Sequence, residues 1–309
     1  MSTIQLNDGN TMPLLAFGSG TALLNLTGSD EIDRTKVDLI KCAIKTGYRH
    51  LDTAEMYGTE REVGMAIKES IEEGVVKREE LFVTTKNSWK MTESKNAIEI
   101  SLKKLGLDYV DLYLLHSPFW TESPSDLQKV WIDMEDIKES GKARSIGVSN
   151  YEELHILTTL ETARIPPAVN QVEFHPYFSY GNLRNFSRQR ANILTTGYGA
   201  LAPVTHNIPG PLDDTLKALS EKYGVSVGLI CLRWCIDQDV AVITTSQKPT
   251  RMEEYMTVFD FKLTEEEVNE IREKGALCLK EEYIPRVVRY VEGLKKKAEA
   301  AAAAKNKKE

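Results

Sequence analysis

With 309 residues, the chain is longer than most two-layer domains and suits one α/β barrel with a few added segments. Thirty-nine basic against 46 acidic residues leave a net charge of -7, which excludes a chain-wide basic field for nucleic acid or an anionic membrane and makes a small molecule the expected partner. A hydrophobic fraction of 41% and four cysteines without a Cys-x-x-Cys pair point to a large core rather than a disulfide scaffold.

The opening stretch alternates apolar and polar residues around Asn7-Asp8-Gly9-Asn10 and reads as a β-hairpin that closes one end of a barrel. It lacks the charged-then-apolar pattern of a secretory leader, and no apolar run reaches the ~18 residues of a membrane span, so the cytoplasm is the expected compartment. Strand and helix patterns then alternate. Strands are expected over 14–17, 49–53, 81–86, 110–115, 143–149, 168–172, 193–198 and 240–244. Helices are expected over 33–46, 59–72, 93–104, 125–140, 151–161, 181–190, 212–223 and 226–237. Thr264 and Glu267 have capping-box spacing and start a further helix. Repeated βα order implies a parallel sheet, and eight strands imply a (β/α)8 TIM barrel with an N-terminal hairpin and extra C-terminal helices. We assign residues 1–290 to this single domain and the Ala/Lys-rich residues 291–309 to a helical or disordered tail. Cys231 and Cys235, four apart in an apolar stretch, read as core packing rather than metal ligands, and no metal is expected.

Five apolar runs end in residues that chemistry can use: Asp52, Lys86, His116, Asn150 and His175. In a closed β/α barrel, the strand ends form one face where such groups converge. Tyr57 follows Asp52 by five positions. A phenol titrates near ~10, and a neighbouring ammonium is expected to lower that value, with a carboxylate holding the ammonium in place. Tyr57, Lys86 and Asp52 therefore form a candidate tuned acid, with His116 to bind the substrate oxygen or relay a proton. The turn at Gly18-Ser19-Gly20 lacks a dinucleotide-binding fingerprint but lets backbone approach a ligand. Past the last strand, Ser246, Lys248 and Arg251 can hold a phosphate or merely start a solvated helix.

These residues lie in longer stretches: GYRHLDTAEMYGTEREVG at 47–64, LKKLGLDYVDLYLLH at 102–116, GKARSIGVSNY at 141–151, VNQVEFHPY at 169–177 and ITTSQKPTRMEEY at 243–255. Together they resemble the aldo-keto reductases, in the order in which that family carries them, over roughly residues 4–280. The resemblance implies hydride transfer from NADPH, with NADH as a weaker alternative, to a small-molecule carbonyl, by a monomer. It places the catalytic tetrad on Asp52, Tyr57, Lys86 and His116. It further implies that Ser149, Asn150 and Gln171 hold the nicotinamide amide and that Tyr198 stacks on the ring. Gly20, Thr21, Asp52, Gly199, Leu201, Thr244, Thr245, Ser246, Lys248, Arg251 and Glu254 complete the implied cofactor set.

Departures from the family pattern carry their own expectations. Thr245 stands where a Lys usually faces the 2′-phosphate, so Lys248 is expected to supply the charge, and Tyr255 replaces an adenine-binding Asn. Ala22 and Ser117 replace frequent aromatics and imply a roomier substrate pocket bounded by His116, unless Trp89 or Trp120 fills it. Thr244-Thr245-Ser246 together with HSPF at 116–119 is similar to a fungal branch that reduces α-keto amides, α-keto esters, 2-ketoaldehydes and cyclic diketones. The fold also admits a nicotinamide-binding regulatory subunit with little turnover. A hydrolase or lyase built on Asp52, Glu55 and His175 is the remaining alternative.

Overall fold

Short strands whose side chains alternate between two apolar environments account for the closure of the sheet. The computed structural model describes residues 2–25, 31–88, 93–121 (without the Trp120 side chain), 123–179, 181–205 and 209–277. Strands β1 (Thr3–Gln5) and β2 (Thr11–Pro13) form an antiparallel hairpin. Eight parallel strands follow: β3 (Leu15–Gly18), β4 (His50–Asp52), β5 (Phe82–Asn87), β6 (Val110–Leu115), β7 (Ala143–Ser149), β8 (Val169–Glu173), β9 (Leu194–Tyr198) and β10 (Ala241–Thr244). They lie in chain order and close where β10 pairs with β3. The expected (β/α)8 barrel with its leading hairpin is therefore present.

The helices are α1 (Arg34–Thr46), α2 (Glu60–Glu72), α3 (Ser94–Leu105), α4 (Pro124–Glu139), α5 (Glu153–Leu160), α6 (Leu183–Ala191), α7 (Ala202–Thr205), α8 (Asp213–Tyr223), α9 (Val227–Ile236), α10 (Pro249–Met256) and α11 (Glu265–Ala276). Boundaries of the expected strands and helices fall within two residues of those read from the sequence. Short elements that were not foreseen include α7 and the 3-10 turns at Glu55–Tyr57, Arg78–Glu80, Pro118–Trp120 and Thr257–Phe259. Local chemistry fixes the helix starts. Thr264 accepts from the Glu267 amide while the Glu267 carboxylate accepts from the Thr264 amide, which sets the first turn of α11.

Alternation sorts each strand into two layers. Val83, Tyr113, Leu115, Ile146, Val148 and Val172 pack outward with the helices. Phe82, Leu112, Leu114, Val169, Leu194 and Ala241 form a separate inner cluster with Leu6 and Met12 of the hairpin. The hairpin thus plugs the strand-start end of the barrel with apolar side chains. Burying a Met of this kind contributes about 2 kcal/mol, and Met12 is fully buried. Cys231 and Cys235 are both buried in the outer core, and burial pushes the Cys231 thiol up to about 12. Among the described residues, no helix is long and apolar enough to cross a membrane. The expected tail at 291–309 lies outside the described residues.

Candidate active site at the strand ends

The same alternation that builds the inner apolar cluster delivers the polar residues. Side chains two apart share one wall of a strand, so Phe82, Thr84 and Lys86 face inward on β5, as His50 and Asp52 do on β4. Continuing the β6 column past Leu112 and Leu114 leads to His116. Lys86 is fully buried. Its Nζ donates to Asp52 Oδ1 at 2.6 Å and to the Thr53 carbonyl at 2.8 Å. The same ammonium lies 4.8 Å from the centroid of the Tyr57 ring.

Tyr57 ends the 3-10 turn that follows β4, and Gly58 closes the turn at φ +64°, a conformation that glycine adopts without a Cβ penalty. The ring comes so close to the β3 loop that a Cβ on Gly20 would sit 2.6 Å from Tyr57 Cε2. The close approach expected of the Gly18–Gly20 turn is therefore made partly by the protein's own tyrosine. Tyr57 Oη is 3.4 Å from His116 Nε2, a long contact, and the two rings are perpendicular. His116 Nδ1 lies 2.8 Å from Ser88 Oγ.

Burial sets the electrostatics. Desolvation lowers the Lys86 pKa, but Asp52 and Tyr57 outweigh it and hold the ammonium above its ordinary value. For Tyr57 the balance goes the other way. Burial raises its pKa more than Lys86 lowers it, so the expectation of a lowered phenol is corrected. The ammonium favours phenolate, as expected, yet loss of hydration dominates. Burial, with Lys86 adding to it, pushes His116 well below its ordinary value and keeps the imidazole neutral.

A second chain of bonds runs around the rim. Gln171 Nε2 donates to Asp52 Oδ2 at 2.9 Å, and Ser149 Oγ donates to the Gln171 carbonyl at 2.8 Å. Asn150 Nδ2 donates to Ser149 Oγ at 3.0 Å and to the His116 carbonyl at 2.8 Å. Its Oδ1 accepts from the Tyr198 hydroxyl at 2.8 Å. Asn150 sits just past β7 at φ +59°, a left-handed conformation that asparagine tolerates better than most residues. Four of the five polar strand-end residues thus meet. His175 does not join them. It is fully buried beside Glu173, 3.5 Å from its carboxylate, and its Nδ1 accepts from the Tyr177 amide.

A cavity of about 250 Å³ opens beside this network. Asp52, Tyr57, Gln171 and Tyr198 line it, with Gly20, Thr21, Gly199, Leu201, Thr244 and Thr245 of the expected set. Gly18 of the expected turn also lines it, with Ala200, Ala202, Thr205 and Ile243, which were not anticipated. The hydroxyls of Thr244 and Thr245 are buried without a hydrogen-bond partner. Ser149 and Asn150 are not among the lining residues and reach the cavity through their bonds to Gln171 and Tyr198. Ser246, Lys248, Arg251 and Glu254 lie outside the lining. The Ser246 hydroxyl accepts from the Lys248 amide at the start of α10, while Lys248 and Arg251 are exposed.

The expected substrate pocket is less complete. Ala22 is exposed, and its carbonyl accepts from Gln247 Nε2 at 2.9 Å. Ser117 is buried, and its hydroxyl accepts from the Phe119 amide. Trp89 and the Trp120 side chain lie outside the described residues. Two participants were missed: Ser88, and Thr53 through its carbonyl. Ser88 carried a legible signal, because it follows Lys86 by two positions and so continues the same inward column. Glu55 accepts from the Ser88 amide at 3.0 Å. Among the described residues, no group of three His, Cys, Asp or Glu side chains is disposed to hold a metal.

Comparison with known proteins agrees with this architecture. Residues 16–276 match the model of the aldo/keto reductase family. Aldo-keto reductase AKR2E4 of Bombyx mori is 41% identical over 285 residues, covering 87% of this chain and 91% of that protein. The NAD/NADP-dependent indole-3-acetaldehyde reductase of Schizosaccharomyces pombe is 39% identical over 270 residues, covering 86% and 93%. Among solved structures, the Bombyx mori AKR2E4 complex with NADP superposes with a TM-score of 0.79 at 37% identity, covering 90% of this chain and 95% of that one. An aldo/keto reductase from Brucella melitensis gives 0.77 at 35% identity, covering 88% and 99%. With the family match spanning nearly the whole described barrel, this chain belongs to the aldo/keto reductase family.

Proposed function

We propose that the chain is an NADPH-dependent carbonyl reductase acting on activated ketones, with Tyr57 as general acid. The observation that carries this reading is the Tyr57 ring resting on a fully buried Lys86–Asp52 pair, with its hydroxyl beside a neutral His116. When bound, the nicotinamide supplies hydride to the carbonyl carbon. The residues present fit such a cofactor, since Thr244 and Thr245 present buried, unpartnered hydroxyls at the cavity wall. Gln171, Ser149 and Asn150 would hold the carboxamide, and Tyr198 would stack on the ring. Gly20, Thr21, Gly199 and Leu201 would line the remaining length.

The proton leaves Tyr57 Oη for the developing alkoxide oxygen. Because burial raises its pKa, Tyr57 stays protonated at neutral pH, and Lys86 stabilises the phenolate that forms. Asp52 keeps the ammonium charged and fixed. A neutral His116 can present Nε2–H to the substrate oxygen if Ser88 Oγ–H donates to Nδ1. Lys248 and Arg251, exposed at the start of α10, support NADPH over NADH, while Thr245 in place of a Lys supports some use of NADH. The preference for α-keto esters, α-keto amides and cyclic diketones rests on the Thr244-Thr245-Ser246 and His116–Phe119 stretches.

Two measurements test the reading. Tyr57→Phe should lower turnover by about 10²–10⁴-fold while NADPH still quenches tryptophan fluorescence with near wild-type affinity. Near-normal turnover in that variant sinks the assignment. A panel of 1,2-dicarbonyls, simple aldehydes and aldoses, run with NADPH and NADH, should show fastest NADPH oxidation with the dicarbonyls. Tight NADPH binding without turnover on any of them would favour a regulatory subunit.

A further inference from the structure

A second cavity, of about 540 Å³, opens at the strand-start end of the barrel. Its volume falls within the ~300–1,000 Å³ usual for small-molecule sites. It is bounded by β1, α6, the start of β9, the turn before β10 and the first turns of α11. It shares no residue with the cavity beside Tyr57.

Its charges do not cancel. Arg184, Arg188, Lys262 and Arg272 line it together with the carboxylates of Asp237, Asp239 and Glu265. Asp237 is already committed: both of its oxygens accept from the Arg233 guanidinium, at 2.6 and 3.0 Å. Asp239 is paired with Arg188 at 2.7 Å. Arg184, Lys262 and Arg272 are left beside Glu265 and the already paired Asp239.

The two remaining guanidiniums converge on one residue. Arg184 Nη1 donates to the Gln238 carbonyl, and Arg272 Nη2 donates to Gln238 Oε1 at 2.9 Å. Neither arginine forms an ion pair among the described residues. Gln238 is buried, and its own amide donates to the Trp234 carbonyl at 2.9 Å, so its orientation is fixed from below. Partial burial, and then repulsion from Arg272, hold Arg184 below its ordinary value despite Asp239 nearby. Arg272 Nη1 also donates to Asn269 Oδ1, and two forked donors are therefore held beside a cavity, each with N–H groups beyond these bonds. A planar guanidinium suits phosphate and carboxylate oxygens, which accept two parallel bonds from it. An anion between the forks would also relieve their mutual repulsion.

We propose that this cleft binds a compact anion bearing phosphate or carboxylate groups, held by Arg184 and Arg272 with Lys262 at its rim. The reading does not depend on the reaction at the other end. The test is calorimetric titration of inorganic pyrophosphate into the wild-type chain and into Arg184→Ala, Arg272→Gln and Lys248→Ala variants. Saturable 1:1 binding is expected, weakened about tenfold or more in Arg184→Ala and in Arg272→Gln and changed less than about twofold in Lys248→Ala. Arg272 is exposed and its Gln replacement keeps a donor toward Gln238, so this variant is informative even if Arg184→Ala fails to fold. Absence of saturable heat with millimolar pyrophosphate, equal affinity in Arg272→Gln, or binding lost only in Lys248→Ala would overturn the proposal. The last outcome would place the anion at the strand-end site.

Discussion

The two ends of the barrel are built on the same inward columns and have opposite characters. The β5 column starts at Phe82 and ends at Lys86; the β6 column passes Leu112 and leads to His116. At the start, Leu6 and Met12 seal the columns with apolar contacts that impose no pairing obligations. At the end, Lys86, Asp52, Gln171, Ser149, Asn150 and Tyr198 form a chain of hydrogen bonds. Burying an ion pair gains little net stability, because desolvation offsets most of the attraction. The strand-start end therefore supplies stability, and the strand-end network supplies a fixed field for chemistry.

Removing one partner of the buried pair tests that division most severely. Lys86→Met leaves the Asp52 carboxylate buried without its cation, and urea unfolding should show a loss of about 3–5 kcal/mol together with loss of turnover. A change below about 1 kcal/mol would mean that water or protonation relieves Asp52 at little cost. The contrasting change is Met12→Ala, expected to cost about 2–5 kcal/mol while leaving the kcat/KM of the folded protein unchanged. A kinetic defect there would break the separation between the two ends.

His50, in the layer between them, sharpens the comparison through pH. Its ring nitrogens lie near the Pro13 carbonyl and Thr84 Oγ1, and burial pushes its pKa down from 6.5 to about 4. Between these values the unfolded chain binds the extra proton, so stability rises with pH across the window. Stability should be complete above about pH 6.5 and fall by about 3 kcal/mol as the pH drops to about 4. Buried His116 adds to the same trend, so the difference between wild type and His50→Gln in urea unfolding at several pH values isolates the His50 share. Equal acid sensitivity in the two would show that His50 is not protonated on unfolding.

The smallest effect belongs to Ser88→Ala. It removes the partner of His116 Nδ1 and should cost about 1–3 kcal/mol, read mainly as a roughly tenfold fall in kcat. Because Ser88 acts through His116, the pH profile of kcat should shift as well. An unchanged profile would leave Ser88 a structural role only.

Much of this molecule was legible in one dimension. Buried parallel strands must be apolar on both faces, so eight such runs, separated by helical periodicity, determined the barrel, its strand order and the ends on which Asp52, Lys86, His116 and Asn150 stand. The cooperating set of Asp52, Tyr57, Lys86 and His116 was legible as well. His175 ends an apolar run as Asn150 does, but turns to Glu173, and the packed structure shows that only Asn150 joins the network. The raised pKa of Tyr57 likewise follows from burial, which outweighs the nearby ammonium that the sequence does indicate. Ser88 escaped notice although it continues the inward column of Lys86, because its bond to His116 exists only once β5 and β6 are paired. The basic cleft is the extreme case: Arg184, Gln238 and Arg272 come from separate segments, and their shared orientation exists only once α6, the turn before β10 and α11 have packed together. Sequence periodicity determines where a side chain faces along its own strand or helix. The tertiary structure decides which distant groups share a desolvated space, because burial and charge pairing depend on every element that encloses them.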